Sequence, residues 1–188
     1  MSRRSPGRPT GAGVPAAELL PPPLPAGDGV YRICCVCTGN ICRSPMAEIL
    51  LRDRLDHAGL ADRVLVDSAG ISDEEAGRPV YPGTQRVLQR HGLPSVDHRA
   101  RLFEQSWVTR YDLLLAMDSG HRRVLQRYAT RHGADPSRVV LVGDLDPAGS
   151  SGDVPDPWGY PDDVFEDVWS QLEPALDALV AGLPARLA

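Results

Sequence analysis

The sequence predicts an α/β domain built on a doubly wound, four-stranded parallel sheet with helices on both faces. Three observations lead to that class. Four short apolar runs rich in β-formers alternate with segments of helical periodicity, and such alternation makes a parallel sheet covered on both sides. The residues able to carry chemistry, namely Cys37, Ser68, Asp118 and a long loop from residue 145, all follow strand ends, where sheets of this kind bind ligands. The chain has 188 residues and is 42% hydrophobic, enough for one core.

Taken in order, residues 1–28 are rich in Pro, Gly and Ala and offer little to bury, which predicts a flexible tail before a folded domain at 29–188. "VYRICCVC" (30–37) reads as the first strand. "SPMAEILLRDRLDHAGL" (44–60) reads as a helix, opened by Ser44 as N-cap with Pro45 at its first position. "RVLVDSAG" (63–70) is a second strand ending in a small-residue turn, and "YPGTQRVLQRHG" (81–92) is a helix stopped by Gly92. "HRARLFEQSW" (98–107) reads as a helix with Phe103 and Trp107 turned inward, in preference to a basic binding patch. "YDLLLAMD" (111–118) is the third strand, "GHRRVLQRYATRHG" (120–133) a further helix and "RVVLVGD" (138–144) the fourth strand. The long loop, "LDPAGSSGDVPDPWGYPDD", leads to an amphipathic helix with Val164, Val168, Leu172, Leu176 and Leu179 on its apolar face; Pro174 is expected to kink it.

The net charge of −5 is unevenly spread. From Asp144 onward ten acidic residues face one arginine, and this third of the chain, Asp156 apart, reads as a solvated face; residues 29–143 carry a balance of +3. Neither part has the clustered positive charge of a nucleic-acid footprint, and the basic middle suits an anionic substrate. All twenty basic residues are arginine, which excludes lysine Schiff-base chemistry and a Walker-type phosphate loop. Cys34, Cys35, Cys37 and Cys42 fall within nine residues, without the spread of a disulfide framework or the two separated pairs of a zinc site. No signal peptide is legible, because the twin arginine Arg3-Arg4 leads into no apolar core, and this points to a reducing cytoplasm. No segment reaches the ~18–20 apolar residues that span a bilayer. His57, His91 and His132 lie near helix ends and are assigned no chemistry.

The stretch "VCTGNICRSP" (36–45) joins the first strand to the first long helix. A tight loop entering a helix turns successive backbone N–H groups into a concave nest, and the helix N-terminus adds about half a positive charge, a setting suited to phosphate. Thr38, Gly39, Asn40, Ile41, Cys42 and Arg43 are the residues of that nest. Gly39 and Asn40 tolerate the positive φ the curl requires. Arg43 can make two parallel hydrogen bonds to phosphate oxygens. A thiol placed there titrates as low as ~3.5–7.5 instead of ~8.5, so Cys37 is expected to be a thiolate aimed at the phosphorus of a phosphomonoester.

"VCTGNICRSPMAE" resembles the signature of the low-molecular-weight protein tyrosine phosphatases, a cysteine followed after five residues by Arg-Ser. The likeness continues through "DSAG" (67–70), "HRAR" (98–101), "MD" (117–118) and "VPDPW" (154–158), over roughly residues 29–182. It implies that Cys37 is the nucleophile, Arg43 the clamp on the phosphoryl group and Asp156 the general acid and base; the residues alone do not separate Asp156 from Asp144, Asp146 or Asp153. It further implies that Ser44 supports the thiolate and that Asn40, Ser68 and His98 brace the loop. No metal or other cofactor is expected, because loop amides and Arg43 supply the charge stabilisation. The implied partners are tyrosine-phosphorylated proteins, with no nucleic acid or membrane, for a monomer or weak dimer. Cys34 and Cys35 read as strand packing, whereas Cys42 is placed to form a disulfide with Cys37 that shields the nucleophile from irreversible oxidation.

The substrate rim departs from the family pattern. Glu74, with Glu75 beside it, stands where relatives acting on phosphotyrosine place an aromatic, and only Trp158, followed by Gly159, remains to stack on a phenyl ring. An acid there disfavours acidic peptides and favours basic ones. "DPWG" also echoes the protein arginine phosphatases, an alternative reading, although Ile41 stands where those enzymes carry threonine. Arsenate reductases share the loop, but no cysteine follows Cys42 to relay oxidation. A non-catalytic phosphate-docking module would not need Cys37, Arg43 and an Asp-Pro acid together.

Overall fold

The computed structural model describes residues 14–25, 28–94, 97–149 and 152–188. Four strands, β1 (Tyr31–Cys37), β2 (Val64–Gly70), β3 (Leu113–Ala116) and β4 (Val139–Leu141), form a parallel sheet in the order β2-β1-β3-β4. β1 is central, in register with β2 from Tyr31 opposite Val64 to Cys37 opposite Gly70, and with β3 from Ile33 opposite Leu113 to Val36 opposite Ala116. Side chains of successive strand residues leave opposite faces. Ile33, Cys35 and Cys37 therefore enter one core, with Met46, Leu50, Val87, Leu172 and Leu176, while Cys34 and Val36 enter the other, with Leu114, Leu125 and Ala129.

The first core is closed by α2 (Arg43–His57), α3 (Pro82–Arg90) and α5 (Asp162–Gly182), the second by α4 (Ser119–Arg131). α5 buries Phe165, Val168, Trp169, Leu172, Leu176 and Leu179, while Val164 is half-buried. The helix is continuous through Pro174: the carbonyl that loses its partner belongs to Ser170, on the exposed face, where water can serve it. None of the helices among the described residues is long and apolar enough to cross a membrane.

Three expectations are corrected. The stretch 98–107 is not a helix. Its backbone pairs with the end of β2, Gly70 N–H donating to Arg101 C=O at 2.8 Å and Phe103 N–H to Gly70 C=O at 2.7 Å. A 3-10 turn at Gln105–Thr109 then brings a half-buried Trp107 edge-on to buried Phe103. The acidic C-terminal third is not simply solvated. Asp177 and Glu173 pair with Arg54, Asp162 with Arg86 and Arg90, and Glu166 with Arg90 and His91, tying α5 to α2 and α3.

The third correction concerns the expected tail. Residues 14–25 pack on the domain: a short α1 (Ala16–Leu19) lies on α5 and Leu20 is 1% exposed. A single pair of leucines between prolines is enough, because proline restricts the unfolded chain and lowers the cost of ordering it. The remainder of that stretch, residues 1–13 and 26–27, lies outside the described residues.

Candidate active site

β1 ends at Cys37 and α2 begins at Arg43, so the intervening residues must turn the chain from sheet to helix. Asn40 makes the turn, with φ of 58°, a conformation asparagine tolerates. Gly39 has no positive φ, contrary to expectation; it is constrained by space, since a Cβ there would stand 2.9 Å from Glu75 Cγ. The last residue of "DSAG" matters for the same reason. A Cβ on Gly70 would collide with the Thr38 carbonyl and approach Asn40 N to 3.1 Å, so only glycine lets the loop rest on the end of β2.

Ser44 is not the N-cap of α2. Cys42 occupies that position and no side chain caps the helix, which leaves the first N–H groups to the loop's concave side. The Ser44 hydroxyl is engaged elsewhere: its Oγ is 3.0 Å from Cys37 Sγ and accepts from Asn40 Nδ2 at 3.0 Å. Asn40 N–H points at the same sulfur, at 3.3 Å. Asn40 Nδ2 also donates to Ser68 Oγ at 2.8 Å, Asn40 C=O accepts from His98 Nε2 at 2.7 Å, and Asn40 Oδ1 accepts from Arg101 N–H at 3.0 Å. Ser68 donates onward to buried Glu48, itself paired with Arg52 at 2.6 Å. A single left-handed asparagine is thus held from α2, β2 and the 98–101 segment at once, which is how a strained curl persists.

Arg43 is almost wholly buried. Its Nη1 donates to Asp118 Oδ2 at 3.0 Å and to Val154 C=O at 3.1 Å; Nη2 donates to Asp156 Oδ2 at 2.9 Å and more weakly to Thr38 Oγ1 at 3.4 Å. Burial acts to raise the Asp118 carboxyl, but hydrogen bonds from His121 and the charge of Arg43 outweigh it, holding the group well below the usual carboxylate range. Of the four aspartates the sequence left undivided, Asp144 pairs with Arg122, Asp153 accepts from Ser119 at the start of α4, and Asp146 accepts from Ala148 N–H; Asp156 alone among them meets Arg43.

These groups open into a cavity of about 240 Å³ lined by Cys37, Thr38, Gly39, Ile41, Cys42, Arg43, Glu74, Glu75, Asp156 and Trp158. Asn40 turns its side chain away into the network beneath. The wall carries both glutamates, Glu75 held by Arg78 at 3.1 Å, facing an indole that is 60% exposed. The four thiols are free. Burial raises Cys42 well above the ordinary thiol range, as it does the strand-packed Cys34 and Cys35. Sequence reasoning missed Glu48, Arg101 and His121. Only His121 left a usable signal, since it follows Asp118 by three residues at a helix start and so shares its side of the helix.

A cysteine and an arginine sharing a nest at the carboxyl end of a parallel sheet define the class of cysteine-dependent phosphatases. The sequence profile described as "Low molecular weight phosphotyrosine protein phosphatase" matches residues 32–187. The low molecular weight protein-tyrosine-phosphatase of Streptomyces coelicolor is 46% identical over 155 residues, 81% of this chain and 93% of the relative. Among solved structures, YfkJ from Bacillus subtilis superposes with a TM-score of 0.77 at 31% identity, covering 85% of this chain and 97% of that one. The YwlE arginine phosphatase of the same organism, in a variant with a phosphorylated active-site serine, gives a TM-score of 0.71 at 30% identity over 82% of this chain and 96% of that one. The chain belongs to the low molecular weight phosphotyrosine protein phosphatase family.

Proposed function

We propose that this chain hydrolyses phosphotyrosine in proteins through a phosphocysteine on Cys37. One observation carries the reading: Cys37 Sγ sits 3.0 Å from the Ser44 hydroxyl and 3.3 Å from Asn40 N–H, in the same cavity as the Arg43 guanidinium. Arg43 Nε is buried without a protein partner, which suits a phosphoryl oxygen. In the first step the Cys37 thiolate forms an S–P bond as the bond from phosphorus to the phenolic oxygen breaks, and Asp156 delivers its proton to that oxygen. In the second, Asp156 takes a proton from water, the water oxygen attacks phosphorus, the S–P bond breaks and inorganic phosphate leaves with the thiolate restored. Loop N–H groups and Arg43 stabilise the charge on the equatorial oxygens. Asn40, Ser68 and His98 keep the loop in shape, and Trp158 offers an indole face to the phenyl ring. A reducing compartment, the cytoplasm, would suit a chemistry that needs Cys37 as a thiolate.

A second reading has its own observation. Two carboxylates, Glu74 and Glu75, line the wall, and a guanidinium leaving group would meet them more favourably than a phenol would. This supports phosphoarginine as the alternative substrate, the chemistry named for YwlE.

The experiment is the dephosphorylation rate, with chelator present, on matched phosphotyrosine, phosphoserine and phosphoarginine peptides. Faster turnover of phosphotyrosine is expected, with none in Cys37→Ser, which should still bind phosphate. Turnover that survives Cys37→Ser would sink the mechanism; a phosphoarginine preference would replace the substrate and leave the mechanism standing.

A further inference from the structure

We propose that His121 is a positioning residue for phosphoryl binding, holding Thr38 and Arg43 in register by bridging Asp118 to the loop; this rests on the reading of the Cys37 loop as a phosphate site. Four side chains close a ring. Arg43 Nη1 donates to Asp118 Oδ2 at 3.0 Å, and His121 Nδ1 lies 3.0 Å from that same oxygen, though off the line of a well-aligned hydrogen bond. His121 Nε2 is 3.0 Å from Thr38 Oγ1, and Arg43 Nη2 returns to Thr38 Oγ1 at 3.4 Å.

Two of the four groups have a fixed direction in the ring, Arg43 as donor and Asp118 as acceptor. Asp118 as a carboxylate only accepts, so Nδ1 presents its hydrogen to it. A neutral imidazole then accepts at Nε2 from the Thr38 hydroxyl and an imidazolium donates to it; in either form the hydroxyl oxygen has a lone pair left for Arg43, which only donates. His121 N–H also donates to Asp118 Oδ1 at 2.8 Å, so residue 121 restrains both carboxylate oxygens. The ring is 2% exposed, and an imidazole is not buried cheaply unless its nitrogens are served. Its two nitrogens meet two groups that also hold Arg43, and Thr38 directly follows Cys37 and lines the cavity.

Removing the imidazole takes a hydrogen-bond partner from Thr38 and a close electrostatic neighbour from Asp118. The 3.4 Å link from Arg43 to Thr38 is the longest in the ring and is the first that a relaxing Thr38 would break. Arg43 would then be held chiefly by carboxylates and the Val154 carbonyl, with its distal nitrogen on Asp156, the contact that an arriving phosphoryl group must displace.

The test measures binding of inorganic phosphate to the full chain by calorimetry, beside steady-state hydrolysis of aryl phosphates. His121→Ala should weaken phosphate binding about tenfold, the scale of one charge-assisted hydrogen bond. It should lower kcat/KM without changing the dependence of rate on leaving-group pKa, because Asp156 is untouched. His121→Gln, whose amide can reach Thr38 from the Nε2 side, should recover part of the loss. Thr38→Val should weaken binding in the wild type yet add little on top of His121→Ala, the non-additivity of groups in one network. Unchanged phosphate affinity in a folded His121→Ala chain, or full additivity with Thr38→Val, would overturn the proposal. If His121→Ala does not fold, His121→Asn, whose shorter amide cannot reach Thr38 from the Nε2 side, takes its place in the cycle with Thr38→Val, and additivity there overturns the proposal equally. Phosphate binding without turnover of any aryl ester would defeat the catalytic reading while the calorimetry still decides the role of His121; no phosphate binding at all would defeat both.

Discussion

Asp156 is held by a group it has to leave. Its carboxylate lies 2.9 Å from Arg43 Nη2, with half of the side chain open to solvent, while Arg43 is almost wholly buried. A phosphoryl group entering the loop competes for the same guanidinium, and releasing Asp156 frees it to turn toward the leaving oxygen. On the proposed mechanism the contact would serve as a resting-state latch on the acid. Asp156→Ala should slow aryl esters with poor leaving groups by roughly 10²- to 10⁴-fold and those with good ones far less, because a good leaving group needs no proton in the transition state. The measurement is kcat against leaving-group pKa across a series of aryl phosphates; equal slowing throughout would remove Asp156 as the acid. At this scale the sequence was informative about residue types and silent about partners. Local pattern singled out Asn40 for its backbone and the family resemblance for a network with Ser68 and His98; the structure gives the atoms, the side chain bonding Ser44 and Ser68 and the carbonyl bonding His98.

Among the elements, the segment at 14–25 is the least expected. It lies before the span matched by the family profile, yet it crosses the amino ends of the strands, at the sheet edge opposite the active site. Pro21 C=O accepts from Tyr31 Oη at 2.9 Å, Pro22 C=O from Arg138 Nη1 at 2.8 Å, and Leu24 N–H donates to the buried carboxylate of Asp112 at 2.6 Å. On the helical side Ala17 comes so close to Gly182 that a Cβ at 182 would stand 3.0 Å from its nitrogen. The segment thus staples β1, β3, β4 and α5. Leu20→Ala should lower the free energy of unfolding by roughly 2–5 kcal/mol, the cost of emptying a buried leucine site, with phosphate affinity unchanged because the site is at the far edge. Denaturant titration with a phosphate-binding control checks both halves; a loss below about 0.5 kcal/mol, the scale of a surface substitution, would show that the strap contributes no packing energy.

Across the whole molecule, charge is arranged so that most acids of the C-terminal third are spent on arginines of α2, α3 and α4, whereas Glu74 faces the cavity mouth and is exposed. On the proposed function its carboxylate would act on residues flanking the phosphorylated one. Glu74→Lys should shift the ratio of kcat/KM for acid-flanked over base-flanked phosphotyrosine peptides upward by roughly 2–5-fold at low salt, the yield of a partly screened surface pair. The shift should shrink as ionic strength rises, since exposed charges are screened over about 10 Å at 0.1 M salt. A ratio that does not move would mean the rim does not read the flanking sequence.

The order of strands and helices, the loop between Cys37 and Arg43 and the family itself were legible because they depend on local pattern: apolar period, glycine placement, and residues a few positions apart. The fourfold choice among Asp144, Asp146, Asp153 and Asp156 was legible only through the family resemblance, since all four sit in similar surroundings in the chain and are told apart in the fold by which arginine or amide each meets. The helix read at 98–107 failed because the end of β2 offered backbone partners that no local propensity reveals. The segment around Leu20 and the ring through His121 were hidden for a related reason: the groups that anchor them, Asp112 and Arg138 in the one case and Thr38 and Arg43 in the other, are distant in sequence. Sequence by itself determined the alternation of strands and helices and which chemistry the opening loop can carry; only the tertiary structure showed which carboxylate meets Arg43, that His121 reaches Thr38, and that residues 14–25 pack across the far edge of the sheet, because burial and hydrogen-bond geometry exist only once the layers have packed.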